Sequence, residues 1–394
     1  MHYSKDVFLQ HLAQTTPFPF LLPIEKAEGI YLYTPEGKRY IDLISGVGVT
    51  NIGHRHPKVV EAIHNQVDRH LHVMVYGEYV QSAPNLLAKK LSEKLPVTLN
   101  CTYLVNSGTE ANEGALKLAK RVTGRTELIS FRKSYHGSTH GSMSVSGNEV
   151  KKQAFRPLLP DVRFIEFNRI EDLKNITTKT AGVIMETIQG DAGVRIPSRA
   201  YMQALRDRCN ETGAQLILDE IQCGMGRAGT LFAFEQFGIA PDILTLGKAL
   251  GGGLPIGAFV SSTEKMKLFT HDPMLGHITT FGGNPVCSAA ALAVLNVFDE
   301  EKVLEGIEAK GKLIEQLLRH AAIKEIRRIG LFFAIDFDSA ERVERIVKRA
   351  LDEGVICFWF LSHPNSFRIA PPLTISEDEI RQACAVILKA IENS

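Results

Sequence analysis

From about residue 100 onward, short apolar runs alternate with stretches whose apolar residues recur at helical spacing. The runs Cys101–Val105, Leu128–Phe131, Val162–Phe167, Gly182–Thr187, Gln215–Asp219, Ile243–Leu246 and Ala258–Ser261 read as strands. Several are apolar at successive positions, as in Leu216-Ile217-Leu218, so both faces of the strand must meet apolar neighbours. That pattern predicts a parallel sheet covered by helices on both sides. Between strands, Thr109–Val122 places Ala111, Ala115, Leu118, Ala119 and Val122 at helical spacing, with Glu110 in the first turn. The centre of the chain therefore predicts an α/β domain with a mainly parallel sheet.

The C-terminal part follows a different pattern. Val343, Ile346, Val347, Ala350 and Leu351 form one apolar helix face, and Ile380, Ala383, Cys384, Ile387, Leu388 and Ile391 form another, opened by the capping box Ser376-x-x-Glu379. Strand-like Arg327–Phe337 and Val355–Leu361 lie nearby, which predicts a smaller α+β domain. Near the N-terminus, Gly29–Tyr33 and Arg39–Leu43 flank Thr34-Pro35-Glu36-Gly37 as a hairpin would.

Composition narrows the class. Apolar residues make up 44% and charged residues 23% of 394, the balance of a globular chain, and length alone suggests two to three domains at one per ~150 residues. The formal net charge is +1, so neither a nucleic acid nor an anionic membrane is indicated as partner. No apolar run reaches the ~20 residues of a membrane-spanning helix. Met1-His2-Tyr3-Ser4-Lys5-Asp6 lacks a basic n-region, and Pro19 and Pro23 interrupt Phe18–Ile24, so no signal peptide is expected. The 6 cysteines are scattered without a CxxC and read as reduced thiols of a cytoplasmic protein. The 13 histidines include the groups His54/His56 and His64/His70/His72 but no zinc spacing, so no metal is expected.

Ligands of an α/β sheet collect beyond the carboxyl ends of its strands, and four segments place chemistry there. Asn106-Ser107-Gly108-Thr109-Glu110-Ala111-Asn112 offers hydroxyls and a flexible backbone to an anion at a helix start, although the same residues suit an ordinary N-cap turn. Leu216-Ile217-Leu218-Asp219-Glu220 ends a buried strand in a carboxylate that requires a cationic partner or a metal, a structural ion pair being the plain alternative. Thr245-Leu246-Gly247-Lys248 leads into a glycine-rich loop that is not a Walker A motif. A desolvated lysine there can form a Schiff base with a carbonyl, whereas a surface lysine beside a mobile loop has no such role. Ser134-Tyr135-His136-Gly137 can present a flat ring to a planar ligand or simply bury it in the core. A phosphate cradle, an aromatic platform, a buried carboxylate and a Schiff-base lysine are together what pyridoxal phosphate requires.

These segments, with Asn51–Pro57, Gly226-Arg227, Thr279–Pro285 and Phe367–Leu373, give the chain a resemblance along nearly its whole length. It resembles the class III pyridoxal-phosphate-dependent aminotransferases of fold type I, the group that contains the acetylornithine and ornithine aminotransferases. The resemblance implies a large cofactor domain, residues 50–285, around a seven-stranded-type sheet, and a small α+β domain from residues 1–49 and 286–394. It makes Lys248 the Schiff-base lysine and proton shuttle, Asp219 the partner of the pyridinium nitrogen, Gln222 a hydrogen bond to the ring hydroxyl and Tyr135 the stacking ring. It assigns the phosphate to Ser107, Gly108 and Thr109, joined by Thr280 from the other subunit of a homodimer. It gives Arg368 the substrate α-carboxylate and places Glu186 in the cofactor set as the first carboxylate of Met185–Asp191.

Two departures stand out within the resemblance. Asp191 stands where the family often has a glutamate that screens the carboxylate-binding arginine, and Ser138 stands where ornithine-type members carry an arginine that anchors the donor's distal carboxylate. The expected activity is transfer of an amino group from an amine or ω-amino donor to a keto acid such as 2-oxoglutarate. An aminomutase or a decarboxylating transaminase would use the same cofactor residues. A non-catalytic α/β binding protein would not need Lys248, Asp219 and Tyr135 together, and a Rossmann-type dehydrogenase would need an early G-x-G-x-x-G that is absent.

Overall fold

The computed structural model describes residues 4–75 and 77–394. At its centre lies a seven-stranded sheet in the order 101–105, 257–261, 243–246, 215–219, 180–186, 127–131, 162–165. All neighbouring pairs are parallel except the two made by Gly257–Ser261, which runs against both its neighbours. The other strands therefore end on one edge of the sheet. Thr180–Glu186 and Gln215–Asp219 are buried at every position, which accounts for their unbroken apolar runs. Leu216, Ile217 and Leu218 are each fully buried, and such a side chain contributes roughly 1.5–3 kcal/mol on leaving water.

The helix Gly108–Thr123 covers one face of this sheet. It is capped at one end by Ser107, whose hydroxyl accepts from Glu110 N at 3.3 Å, and at the other by Gly124 in the left-handed conformation. Pro285–Glu300 packs on the helices Pro57–Val67 and Ser82–Lys94.

Two four-stranded sheets flank the centre. In one, the hairpin Tyr31–Tyr33 and Arg39–Asp42 is extended by Lys26–Glu28 and by a parallel pairing of Val355–Ile356 with Ile41–Asp42. The other is antiparallel, in the order Glu325–Ile329, Phe332–Asp336, Ser366–Ile369, Phe358–Trp359. The run Val355–Leu361 is thus two short strands in different sheets, and Arg327–Phe337 folds back on itself as a hairpin. The helices Ala340–Asp352 and Glu377–Glu392 bury the apolar faces read from the sequence, Leu351 and Leu388 being half-buried, and the Ser376/Glu379 capping box forms.

Arg227 connects the two ends of the chain to the centre. Its buried guanidinium donates to Leu331 O at 3.0 Å and Pro371 O at 2.7 Å, and to Asn51 Oδ1. Beside it, Ser45–Gly48 makes one left-handed turn, with φ of 49°, 58°, 67° and 77° in succession. Val47 in that region carries backbone strain, because its branched side chain crowds the following carbonyl.

Candidate active site

The register of three adjacent parallel strands sets the site. Glu186 pairs with Asp219, and Asp219 with Thr245, so these residues stand abreast at the carboxyl ends. Beyond Thr245 the chain passes Gly247 into Lys248, whose φ is +43°. A lysine held in the left-handed region costs about 1–3 kcal/mol and is kept only where the surroundings enforce it.

A cavity of about 280 Å³ opens over this edge. Gly108, Thr109, Tyr135, Ser138, Glu186, Asp219, Gln222 and Lys248 all line it, so one wall brings together most of the residues singled out in the sequence. Asp219 is buried. Its Oδ2 accepts from Asn112 Nδ2 at 2.8 Å and lies 2.8 Å from His136 Nδ1, and its Oδ1 accepts from Ile221 N at 3.0 Å. Asn112 is held in turn by Thr245, whose hydroxyl donates to Asn112 Oδ1 at 2.8 Å. The partner that a buried carboxylate requires is thus a histidine with an amide, and no cluster of metal-ligating side chains occurs among the described residues.

Burial pushes the Lys248 ammonium below its ordinary value against the opposing pull of Asp219 and Glu186. Glu186 is raised to about 8, first by burial and then by the charge of Asp219. Its carboxyl accepts from Tyr135 N at 3.0 Å and Gly190 N at 3.1 Å, which fixes it beside the cavity. Tyr135 is partly exposed and its hydroxyl lies 3.2 Å from Ser138 Oγ. Gly137, at φ +131°, presses on Thr109, since a Cβ there would come within 2.3 Å of Thr109 Oγ1.

Arg368 lies in a recess that shares Gln222 with the main cavity. Its guanidinium is buried 3.5 Å from Asp191 and stacks 4.5 Å from the centre of the Phe360 ring. Ser107 caps the helix and does not itself line the cavity. Thr280 is exposed on the loop before Pro285–Glu300 and does not line the cavity of its own chain. Arg132, near Ser138 in the chain, pairs with Glu166 at 3.0 Å and does not line the cavity.

His136 and Asn112 hold Asp219, and Thr245 holds Asn112, roles that nothing in the sequence around them marks. His136 lies inside the segment quoted for Tyr135, and only the fold brings it 83 positions along the chain to the carboxylate. The histidines of the group His54/His56 form ion pairs away from the cavity. His54 pairs with Asp42 at 2.8 Å, and His56 with Glu301 at 3.2 Å.

An amine that releases its proton more readily than a surface lysine, enclosed with carboxylates and faced by a helix N-terminus, can add to a carbonyl and move protons out of bulk water. Comparison with known proteins agrees with that chemistry. A family model described as aminotransferase class-III matches residues 13–391. The acetylornithine aminotransferase of Methanopyrus kandleri is 38% identical over 389 residues, covering 98% of this chain and 97% of its own. That of Methanocaldococcus jannaschii is 40% identical and covers 91% of each chain. The solved ornithine aminotransferase of Toxoplasma gondii superposes with a TM-score of 0.91 at 28% identity, over 98% of this chain and 93% of its own.

Proposed function

The chain belongs to the class-III aminotransferases, and on that premise we propose that it moves the ω-amino group of an acetylornithine- or ornithine-type donor to 2-oxoglutarate, using pyridoxal phosphate. The observation that carries the reading is Lys248 enclosed in one cavity with Asp219 and Glu186 at the ends of adjacent strands. The residues present fit the cofactor. The buried Nε2 of His136 has no hydrogen-bond partner among the described residues, and the walls supply an amine, carboxylates, a ring and a hydroxyl-flanked helix start. The solved ornithine aminotransferase of Toxoplasma gondii is described with partial occupancy of pyridoxal phosphate at its active site.

In this reading Ser107, Gly108 and Thr109 would hold the phosphate at the start of the helix Gly108–Thr123, where free N–H groups and the helix dipole favour an anion. Tyr135 would cover a face of the ring, Gln222 would donate to the ring hydroxyl, and Asp219 would keep a proton on the ring nitrogen. Glu186, protonated below about pH 8, would add no second negative charge beside Asp219. When bound, pyridoxal phosphate supplies an electron sink for the carbon that carries the amine. Lys248 Nζ would hold the cofactor's aldehyde carbon, then act as the base that takes the proton from the donor carbon and delivers it again. Burial lowers its proton affinity, which favours its action as a base. Arg368 would take the α-carboxylate of glutamate and 2-oxoglutarate with its planar fork.

Residues 50–285 would form the cofactor domain, and the chain on either side the small domain that carries Arg368. The working unit would be a cytoplasmic homodimer in which Thr280 reaches the neighbouring subunit's phosphate. Its exposure beside Ile278 and Phe281, which are exposed apolar residues, supports that placement. No helix of the described residues is long and apolar enough to cross a membrane. Glutamate formation from N-acetylornithine and 2-oxoglutarate is the test. A panel of ω-amino donors from which none yields glutamate would reject the reading.

A further inference from the structure

Arg368 and Asp191 belong to a cluster of three charges, and the third is Lys151. Asp191 is the only carboxylate paired with Arg368 among the described residues, at 3.5 Å. That is longer than the roughly 2.7–2.9 Å of a charge-assisted hydrogen bond. The stronger contacts of Asp191 point elsewhere. Its Oδ1 accepts from Leu361 N at 3.1 Å, its Oδ2 accepts from Ser362 Oγ at 2.6 Å, and Lys151 Nζ donates to Oδ2 at 3.3 Å. Ser362 is steadied from behind, since its Oγ accepts from Asn148 Nδ2 at 2.9 Å.

Lys151 has no other ion-pair partner among the described residues. Glu149, on the same short helix, is paired with Lys152 and Arg156. Two cations thus share one carboxylate, and the cluster of three keeps a net positive charge. The buried Nε of Arg368 is also without a hydrogen-bond partner among the described residues. A carboxylate that closed fully onto Arg368 would neutralise it, and an incoming substrate would first have to break that pair. Instead, the oxygens of Asp191 are taken up by Leu361 N and Ser362 Oγ on one side and by Lys151 Nζ on the other.

We propose that Lys151 is a positioning residue for acceptor recognition. By holding Asp191 it keeps Arg368 open to a substrate carboxylate, so that a keto acid binds without displacing a tight ion pair. The inference rests on Arg368 being the carboxylate anchor. It concerns the acceptor alone, because an ω-amino donor presents no carboxylate next to its reacting carbon.

The test is Lys151→Met in the holoenzyme, with two readouts. The first is the affinity for 2-oxoglutarate by calorimetry without any donor, when the keto acid has no amino group to accept. The second is steady-state kinetics with 2-oxoglutarate and with a simple aldehyde acceptor that lacks a carboxylate. The side chain is one-third exposed, so the expected loss of keto-acid affinity is about fivefold, with a matching rise in KM. The KM for the donor, kcat and use of the aldehyde should stay unchanged, and Lys151→Arg should restore keto-acid binding. In an Asp191→Asn background Lys151→Met should have no further effect, since its partner is gone.

An equal fall for aldehyde and keto acid, unchanged keto-acid affinity, or an effect that persists with Asp191→Asn would each overturn the proposal. Arg368→Gln separates the two levels. If it leaves 2-oxoglutarate binding intact, the anchor reading itself fails. If it abolishes binding while Lys151→Met is silent, only the role of Lys151 fails.

Discussion

His136 Nδ1 lies 2.8 Å from Asp219 Oδ2, with both side chains buried, so the carboxylate at the floor of the cavity is held by a histidine rather than by a lysine or arginine. With Asn112 and the backbone N–H of Ile221 on its remaining positions, Asp219 is fixed on every side but the one toward the cavity. Asp219→Asn keeps the shape and removes the charge. Loss of one ordinary hydrogen bond is worth about 1 kcal/mol, roughly fivefold in rate. The expected fall in kcat/KM is about a hundredfold or more, because a neutral amide cannot favour a proton on the ring nitrogen. Rates near wild type in Asp219→Asn, measured as glutamate formed, would reject the assignment.

Glu186 should make the cofactor-free protein pH-sensitive. Its ordinary value is 4.5 and burial beside Asp219 raises it to about 8. Between those values the folded chain keeps a proton at Glu186 that the unfolded chain releases, so the stability this group contributes is full below about pH 4.5 and is lost as pH rises toward about 8. Glu186→Gln imitates the protonated form at every pH. Thermal unfolding of both proteins should show similar midpoints near pH 5, and the variant should gain on wild type up to about pH 8. A difference independent of pH would contradict the raised value.

Much of this site was legible because its residues end apolar runs. Gln215–Asp219, Ile243–Leu246 and Cys101–Val105 are strands with the bounds that the sequence suggests, and Asp219, Lys248 and Ser107–Thr109 follow from those strand ends. The pairings between distant segments were not legible. Nothing local in His136 or Lys151 marks the carboxylate it meets, at 83 and 40 positions away. The reversed direction of Gly257–Ser261 was equally hidden, since a buried strand is apolar on both faces whichever way it runs. The left-handed turn at Ser45–Gly48 leaves a trace in Gly46 and Gly48, but Val47 between them opposes it.

Ser138 provides a test of donor selection. Its hydroxyl lies 3.2 Å from that of Tyr135 at the cavity wall, and Arg132 is engaged by Glu166. No guanidinium from either position is therefore offered to a distal carboxylate. Ser138→Arg should lower the KM for ω-amino donors that carry a free carboxylate by about tenfold, and should leave simple ω-amines unaffected or worse. A donor panel run on both proteins checks this, and an identical ranking would show that position 138 does not read the donor.

Thr280 provides a test of assembly. Lys248→Ala and Thr280→Asp should each be inactive, the second because a carboxylate would face the phosphate of the neighbouring site. Mixed and allowed to exchange, they should form hybrids with one intact site, recovering roughly a quarter of wild-type activity at equal amounts. A fully active monomer in sedimentation at assay concentration, or no recovery on mixing, would contradict a shared site.

The central claim is that Lys248 Nζ carries the cofactor within the cavity closed by Asp219, Glu186 and Tyr135. Reduction of the holoenzyme with borohydride, followed by peptide mapping, tests it most directly. The account predicts a yellow protein that loses its colour on reduction, with one pyridoxyl group per chain on the peptide containing Lys248, and no labelling in Lys248→Ala. Label on another lysine, or a colourless protein that fails to take up added pyridoxal phosphate, would contradict it.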